Sequence, residues 1–575
     1  VSVARDTADE PRRFGWRGLL VAGFLALGAV ALLSRAVYLQ VVDREFLAKK
    51  GDRVFVRTAK LSANRGMVLD RNGEALAVST PVDSVWVQPA ELARHPQQFP
   101  ALAAAIDRER QWLERRVTGS LDRDFLYLVR HMPPRDAERV RALGVPGVHL
   151  LREYRRYYPA GEVVGHVLGF TDVDDVGREG LELAYDQWLA GVPGAKRVIQ
   201  DRLGRSVEDI ELVAAPRAGE HLRTSIDLRL QYLAYRELKA AVQEHKAKAG
   251  SMVVIDVQTG EVLAMVNQPS FNPNDREQFA ASRYRNRAAT DIFEPGSSIK
   301  PFVVAAAMQN GNFRADTLVD TSPGSTKVGI KTITDKRNLG MVDVTTVLAK
   351  SSNVGVVKIA LSLKPSEMWA AFDQLGLGHV TGSGFPGESA GIVPGFQHWR
   401  PIGQATMAYG YGLSVTPLQL TQAYAVLGSG GIRRPLSLRR LETPPAGERV
   451  LDERVAREMV AMLEAVVSEA GTARRAAIVG YRVSGKTGTA WKAAAGGYST
   501  NKYMAVFGGV VPASNPRLAA VVVIDEPSAG RFYGGDVAAP VFANVLSGAL
   551  RLLAVPPDDL QSIPATTLVQ AGDPW

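Results

Sequence analysis

Between Arg17 and Arg35 lie seventeen residues, Gly18 to Ser34, without a charge. A helix rises about 1.5 Å per residue, so this stretch spans about 26 Å, slightly short of a hydrocarbon core of about 30 Å. Ala36, Val37, Tyr38 and Leu39 lengthen it, and Arg35 can snorkel to the interface. No other run of comparable length is both uncharged and this apolar. The chain is therefore expected to cross a membrane once, at residues 18–39, with everything from about residue 40 on the far side. Arg5, Arg12, Arg13 and Arg17 precede the span and favour a cytoplasmic tail at 1–17, although Arg44, Lys49 and Lys50 follow it. The alternative is a cleaved signal peptide. Its best cleavage site, Ala29-Val30-Ala31, lies inside the apolar run rather than after it.

The 575 residues leave room for two to four domains of about 100–200 residues each. A content of 46% hydrophobic and 22% charged residues excludes disorder, collagen and coiled coil as the main architecture. The absence of cysteine excludes a disulfide scaffold, a thiolate metal site and a cysteine nucleophile. The net charge is +9, of which residues 1–60 supply +5, so the basicity gathers at the N-terminus rather than in a stripe on a folded domain. That distribution argues against nucleic acid. The eight histidines are scattered without metal-ligand spacing, so neither a metal nor another cofactor is expected.

Residues 40–220 are rich in charge and turn signals. Asp70-Arg71-Asn72-Gly73 between two apolar runs predicts a hairpin. A second turn-rich stretch runs from Arg155-Arg156-Tyr157-Tyr158-Pro159 and Gly161 to Gly177-Arg178-Glu179-Gly180. With no nucleophile or acid–base set beside them, both segments read as β scaffold. A new regime opens near residue 221. Thr224-Ser225-Ile226-Asp227 caps a helix through Leu230, Leu233 and Leu238, and two strands, Ser251–Val257 and Glu261–Asn267, flank a Thr259-Gly260 turn. Helical and strand patterns continue to about 555, and the proline-bearing segment 556–575 reads as an exposed tail.

Chemistry concentrates at Glu294-Pro295-Gly296-Ser297-Ser298-Ile299-Lys300-Pro301. Pro295-Gly296 breaks the chain and the apolar run Phe302–Met308 follows, so a buried helix is expected from about Ser297, with Pro301 in its first turn. Ser297 and Lys300 then share one face, at a terminus that favours a developing anion. A serine nucleophile needs a base, and a lysine serves if burial or a second cation keeps it neutral. Ser-x-x-Lys alone carries little, since two residue types at about 6–7% each coincide about twice by chance in a chain this long. Ser499-Thr500-Asn501-Lys502 matches as well, without the Pro-Gly lead or the apolar helix. Two further elements add weight. Ser351-Ser352-Asn353 lies 54 residues after Ser297, at a loop entering the apolar run Val354–Leu361. Lys486-Thr487-Gly488-Thr489, 135 residues after Ser351, is the only Lys-[Ser/Thr]-Gly in the chain, and two predicted strands follow it, Tyr503–Val511 and Leu518–Ile524.

Ser-x-x-Lys, Ser-x-Asn and Lys-Thr-Gly in that order form the penicilloyl-serine transferase signature. On it the chain resembles the penicillin-binding proteins. Arg65-Gly66 with Asp70-Arg71-Asn72-Gly73, Arg156-Tyr157-Tyr158-Pro159 and Gly177-Arg178-Glu179-Gly180 are similar to the pedestal motifs of class B members, which lack a glycosyltransferase domain. Phe293-Glu294-Pro295-Gly296-Ser297, Lys350-Ser351-Ser352-Asn353-Val354-Gly355-Val356 and the stretch from Ala408 to Pro417 resemble the septal rather than the elongation subgroup. Elongation members more often carry Pro-Pro-Gly before the nucleophile and Ser-x-Asp at the second motif.

The resemblance implies an α/β (α+β) fold at 221–555, an antiparallel sheet flanked by helices with an all-α subdomain, behind an elongated β-rich pedestal at 40–220 and one membrane helix. It implies cross-linking of peptidoglycan stem peptides ending in D-Ala-D-Ala through an acyl-enzyme on Ser297, inhibited by β-lactams, without a cofactor. Lys300 would be the base, with Lys486 as the cation that keeps it neutral. Ser351 would relay a proton to the leaving amine, and Asn353 would bind Lys300 and the donor amide. The N–H groups of Ser297 and Thr489 would form the oxyanion hole, Thr487 and Thr489 would hold the terminal carboxylate, and Gly488 would let the peptide approach. Tyr503, Phe532 and Tyr533 would form an aromatic wall, with core packing as the competing reading. Implied partners are a SEDS-family glycan polymerase and other division proteins at the septum of a bacterial inner membrane. The alternatives are an elongation-type transpeptidase, a serine β-lactamase, an acylated penicillin sensor and a division scaffold without turnover. A sensor would need an output domain where only about 17 residues precede the span, and no glutamate is placed for fast deacylation.

Overall fold

A computed structural model describes residues 15–42, 56–200, 206–275, 280–494 and 497–563. The apolar run forms the helix Trp16–Val37 and continues as one wider turn, Tyr38–Val42. Trp16–Val41, 26 residues long with mean hydropathy 2.1, has none of its most apolar window buried. At 1.5 Å per residue it measures about 39 Å. Trp16 and Arg17 mark one end and Arg35 and Tyr38 the other, the residue types that anchor a helix at the two interfaces. Length, composition and exposure together fit a single span.

Two sheets build the pedestal. Val56–Leu61, Gly194–Gln200 and Ser206–Ala214 form an antiparallel three-stranded sheet with Gly194–Gln200 in the middle. In the second sheet the long strand Ala75–Val87 pairs with Val148–Tyr157, with Leu126–Met132 and, through its first residues, with Val68–Leu69. The Asp70–Gly73 hairpin forms as expected. The Asp70 carboxylate accepts the N–H groups of Asn72 (2.7 Å) and Glu74 (2.9 Å), and Gly73 takes φ +100°. The inner face of the sheet carries Val85, Val87, Leu126 and Leu128 against Leu102, Leu113, Val117 and Val140 from the helices Phe99–Ala105, Arg110–Thr118 and Pro134–Ala142.

The second turn-rich stretch is scaffold, but not β scaffold. After Tyr157 the chain folds as short helices, Gly165–Leu168, Gly180–Ala184 and Asp186–Leu189. They gather around a buried ion cluster rather than a ladder. Glu182 accepts Arg65 Nε (2.8 Å) on one oxygen and Arg156 Nε (2.6 Å) on the other, and Arg65 also reaches Asp186 (2.7 Å). Distant pedestal motifs thus meet in one network.

Asp227 caps the helix Leu228–Glu244. Beyond it, a five-stranded antiparallel sheet runs in the order Val262–Gln268, Ala249–Asp256, Leu518–Asp525, Gly497–Val511, Ser484–Ala494. Its first two strands are buried at every residue because helices cover both faces, Leu228–Glu244 and Ala539–Leu552 on one side and Pro417–Gly428 and Glu453–Val467 on the other. Lys300–Gln309, Val344–Ala349, Asn353–Leu361, Pro365–Gln374 and Pro401–Ala408 make the helical subdomain.

No flexible linker separates pedestal from sheet domain. Leu222–Arg223 pairs in parallel with Val68–Leu69, Arg71 reaches Glu261 (3.2 Å), and Gln231 binds the Val163 carbonyl (2.9 Å). One hydrophobic core runs from Leu76 and Tyr158 into the sheet domain. The described part of the C-terminal segment has no buried residue, yet it is tied to the sheet domain. Residues 556–563 are docked, because the Asp558 carboxylate accepts the N–H groups of Arg482 (2.8 Å) and Ser514 (3.1 Å) and the Ser562 hydroxyl accepts that of Gly480 (2.8 Å). Residues 564–575 and 1–14 lie outside the described residues.

Candidate active site

The chain enters the first motif from a two-way backbone bridge between Phe293 and Val415, 3.0 Å in each direction. Gly296 turns with φ +53° and donates its N–H to Gly410 (3.1 Å). The helix expected from Ser297 starts as a tighter 3-10 turn, Gly296–Ile299, before Lys300–Gln309. At three residues per turn, side chains three apart eclipse, so Ser297 and Lys300 line up more closely than on an α-helix. Ser298 is buried and held by the Pro295 carbonyl (2.6 Å), while its own carbonyl accepts from Tyr424 (2.8 Å). Its neighbour Ser297 is half-buried, and its hydroxyl has no hydrogen-bond partner among the described residues.

Lys300 is fully buried. Its amine donates to the Ser351 carbonyl (2.6 Å) and to Asn353 Oδ1 (2.8 Å) and lies 3.4 Å from the Ser351 hydroxyl. Burial first, and the Lys486 ammonium second, hold this amine well below the ordinary lysine value, against an opposing pull from Asp335. Lys486 is therefore the lesser cause of the shift that the sequence reading assigned to it. Lys486, equally buried, is itself lowered by burial to about 7. Its amine lies 3.0 Å from the Ser351 hydroxyl, 3.1 Å from the Thr487 carbonyl and 3.3 Å from the Thr487 hydroxyl.

Ser351 takes φ +58°, a left-handed conformation that costs a non-glycine residue about 1–3 kcal/mol. Ser352 closes the turn as N-cap of Asn353–Leu361, its hydroxyl accepting from Gly355 N–H (2.8 Å). Asp335 holds the turn from outside. Its carboxylate accepts the Ser352 hydroxyl and the N–H groups of Asn353 (both 2.5 Å) and Val354 (3.2 Å). The sequence reading missed Asp335, since an aspartate 17 residues before Ser352 carries no local signal.

The third motif lies on the edge strand Ser484–Ala494. Trp491 N–H leaves that edge to reach the Tyr411 hydroxyl (3.1 Å). Backbone groups alternate sides along a strand, so the N–H groups of Thr489 and Thr487 face the same way, toward the nucleophile turn. Gly488 packs so closely there that a Cβ would meet the Pro295 carbonyl at 2.6 Å. Thr487 bonds the Thr472 hydroxyl (3.0 Å), a contact with no sequence signal, and the Thr489 hydroxyl accepts Gly534 N–H (3.1 Å).

The three aromatic residues stand outside the buried core. Tyr503 and Phe532 stack at 4.2 Å, Phe532 meets Tyr533 at 4.5 Å, and Tyr533 is 43% exposed with Lys336 4.0 Å over its ring. The fold thus brings Lys300, Ser351, Asn353, Lys486 and Thr487 into one contact network one turn from Ser297, with the aromatic residues on the same sheet domain. A buried amine held well below the ordinary lysine value beside a hydroxyl, with a second buried amine and edge N–H groups nearby, is equipped for acyl transfer through a serine.

Comparison with known proteins points the same way. The family model for the penicillin binding protein transpeptidase domain matches residues 250–547, and that for the penicillin-binding protein dimerisation domain matches residues 60–224. The chain is 44% identical over 550 residues to the peptidoglycan D,D-transpeptidase FtsI of Escherichia coli K12, covering 95% of this chain and 93% of that one. Its structure is similar to the apo transpeptidase domain of Burkholderia pseudomallei penicillin-binding protein 3, with TM-score 0.55 and 45% identity over 59% of this chain and 98% of that one. It is also similar to penicillin-binding protein 3 of Mycobacterium tuberculosis in complex with aztreonam, with TM-score 0.68 and 28% identity over 87% of this chain and 98% of that one.

Proposed function

The chain belongs to the penicillin-binding-protein transpeptidase family, and from that premise we propose that Ser297 is the residue its donor peptide acylates. The protein is a peptidoglycan D,D-transpeptidase of the septal, FtsI-like kind. The observation that carries the site assignment is the convergence of Lys300 and Lys486 on the Ser351 hydroxyl.

A neutral amine has two N–H groups and one lone pair. The Ser351 carbonyl and Asn353 Oδ1 take both hydrogens of Lys300, which leaves the lone pair free for the Ser297 proton. Ser297 Oγ attacks the penultimate D-Ala carbonyl, and the N–H groups of Ser297 and Thr489 receive the oxyanion, each worth about 10²–10³ in rate. Ser351, between the two amines, passes the proton to the leaving D-Ala nitrogen. Lys486, with Thr487 and Thr489, holds the terminal carboxylate, and the donor lies along Gly488 as an added strand. Tyr503, Phe532 and Tyr533 wall the donor's acyl side. An amine of a second stem peptide then releases Ser297 and forms the cross-link. β-Lactams acylate the same hydroxyl.

In this reading residues 1–17 lie in the cytoplasm, 18–39 anchor the protein in the inner membrane, and the pedestal (40–220), catalytic domain (221–555) and tail (556–575) lie in the periplasm at the septum. The span and pedestal are the surfaces for a SEDS-family polymerase and other division proteins. The test is intact mass spectrometry after penicillin treatment, followed by peptide mapping. A stable adduct on Ser297, absent from Ser297→Ala, supports the assignment. An adduct on another serine refutes it, and rapid turnover of a chromogenic cephalosporin would favour a β-lactamase.

A further inference from the structure

Thr472 lies outside all three motifs, on the loop that follows the helix Glu453–Val467. Its hydroxyl meets that of Thr487 at 3.0 Å. The loop is fixed from several sides. Ala473 N–H bonds the Val466 carbonyl (2.9 Å), and Lys350, next to Ser351, donates to the Ala470 carbonyl. Gly535 packs so closely on the loop that a Cβ there would meet the Thr472 carbonyl at 2.2 Å. Thr487 is buried, whereas Thr472 is exposed, so the outer hydroxyl of the pair is the one open to an incoming group.

Counting hydrogens shows what the pair can do. The Lys486 ammonium has three, and three acceptors surround it, the Ser351 hydroxyl (3.0 Å), the Thr487 carbonyl (3.1 Å) and the Thr487 hydroxyl (3.3 Å). Lys486 therefore brings charge to a carboxylate but no spare hydrogen. Thr487 and Thr472 have one hydroxyl hydrogen each and use one of the two in the bond between them. The other is free. A hydroxyl that accepts from an ammonium is polarised into a better donor, so the chain runs from Lys486 to Thr487 to Thr472. The free hydrogen is then on the exposed member.

Thr489 supplies a second hydrogen. Its hydroxyl oxygen accepts Gly534 N–H (3.1 Å), which leaves its own hydrogen unused, and residues two apart on a strand point to the same face. A carboxylate has two oxygens to satisfy. We propose that Thr472 is a specificity-determining residue of the carboxylate pocket. It gives one oxygen of the ligand's terminal carboxylate a hydrogen polarised by Lys486 through Thr487, while Thr489 serves the other oxygen. The ligand class is an acyl donor that ends in a carboxylate, whether a peptide or a β-lactam. The inference rests on the transpeptidase reading and deepens it, because selection of an anionic chain end then depends on a residue outside the motifs.

The test uses the full chain in detergent and rapid-quench acylation by benzylpenicillin, read as a half-saturating concentration and a limiting rate. A contact away from the reacting carbonyl is made alike before and during the bond change, so losing it weakens binding without slowing the bound step. Thr472→Val keeps the shape and removes the hydroxyl. It should raise the half-saturating concentration by about tenfold, as befits a hydrogen bond to a charged group, and leave the limiting rate within about twofold. Thr472→Ser keeps the hydroxyl and should return both values to within about twofold of the natural protein. An unchanged half-saturating concentration overturns the proposal. So does a limiting rate that falls in step with binding, which would make Thr472 a prop for Thr487, and so does a serine variant no better than valine. If Thr472→Val fails to label, Thr472→Ala is read by the same criteria, and failure of both to label marks the residue as structural and overturns the proposal. Absence of labelling in the natural protein is a different result, because it removes the Ser297 assignment itself.

Discussion

Lys300 and Lys486 share one hydroxyl, with Ser351 Oγ 3.4 Å from the first amine and 3.0 Å from the second, both lysines fully buried. Two ammonium charges in so dry a cleft repel, so the pair titrates in steps. Lys300 bears both the burial and the Lys486 charge, which together hold it well below the ordinary lysine value, while burial lowers Lys486 to about 7. Acylation needs the first neutral and the second charged. The second-order rate with benzylpenicillin should therefore rise from acid pH as Lys300 deprotonates and fall as pH passes about 7, where Lys486 loses its hold on the carboxylate. A rate that climbs far into the alkaline range would sever Lys486 from carboxylate binding.

Lys486 also works against folding. Unfolded, it keeps its proton to about 10.5; folded, only to about 7. Its folded value is the lower one, so the penalty is full below about 7 and fades as pH rises toward 10.5. Lys486→Met should abolish penicillin labelling yet raise the melting temperature by roughly 2–4 °C in acid, with a smaller gain in alkali. A melting temperature that falls at every pH would show that its hydrogen bonds outweigh its burial.

Asp335 holds Ser351 in its left-handed turn by way of Ser352, Asn353 and Val354. Removing a helix cap typically costs about 1 kcal/mol, but here the cap also sets the geometry of Ser351 and Asn353. Asp335→Ala should lower the acylation rate by about 10–100-fold, the range expected when supporting contacts of a site are lost. Asp452 caps Glu453–Val467 with the same chemistry outside the site. Asp452→Ala should cost similar stability and leave acylation within about twofold. Equal effects of the two on acylation would reduce Asp335 to an ordinary cap.

The parts legible in the sequence are those whose physics is local. The apolar run at 18–39 and the Asn72-Gly73 turn carry their own period or φ requirement, and Ser352 and Asp227 cap the helices they precede. The three motifs, though far apart in the chain, were legible because their order is a pattern in itself. What stayed hidden depends on partners distant in sequence. Glu182 joins Arg65, 117 residues away, and Asp335 is tied to its turn only by the tertiary fold. The bonds that Asp558 accepts from Arg482 and Ser514 are of the same kind, since nothing in the segment's own sequence says what Asp558 meets. The ranking of burial above Lys486 in shifting Lys300 required knowing that its amine is dry.

Glu182 sits between two buried guanidinium groups, its side chain and theirs all but fully removed from solvent. Breaking such a cluster from one side strands the opposite charges and typically costs about 3–5 kcal/mol. Glu182→Leu should open the pedestal to limited proteolysis near the short helices at 165–189 while the sheet domain still labels with penicillin. A pedestal as resistant as the natural one would mean that the two arginines find other acceptors.

Gly410 backs the nucleophile turn. It accepts the Gly296 N–H, takes φ +90°, and comes so close that a Cβ would lie 2.0 Å from the Gly296 carbonyl oxygen. Backbone cannot yield that distance as a flexible side chain could, so Gly410→Ala must displace Pro295-Gly296-Ser297 against the edge strand and shift Ser297 relative to the Thr489 N–H. Misplacing a reacting atom by about 1 Å costs about 10²-fold in rate. Penicillin acylation of Gly410→Ala should fall by that order, with a loss of stability on top because an alanine is strained at positive φ. Among the described residues Gly410 hydrogen-bonds only the backbone of Gly296 and Met407, so a normal rate in this variant would show that Ser297 keeps its place without the glycine behind it.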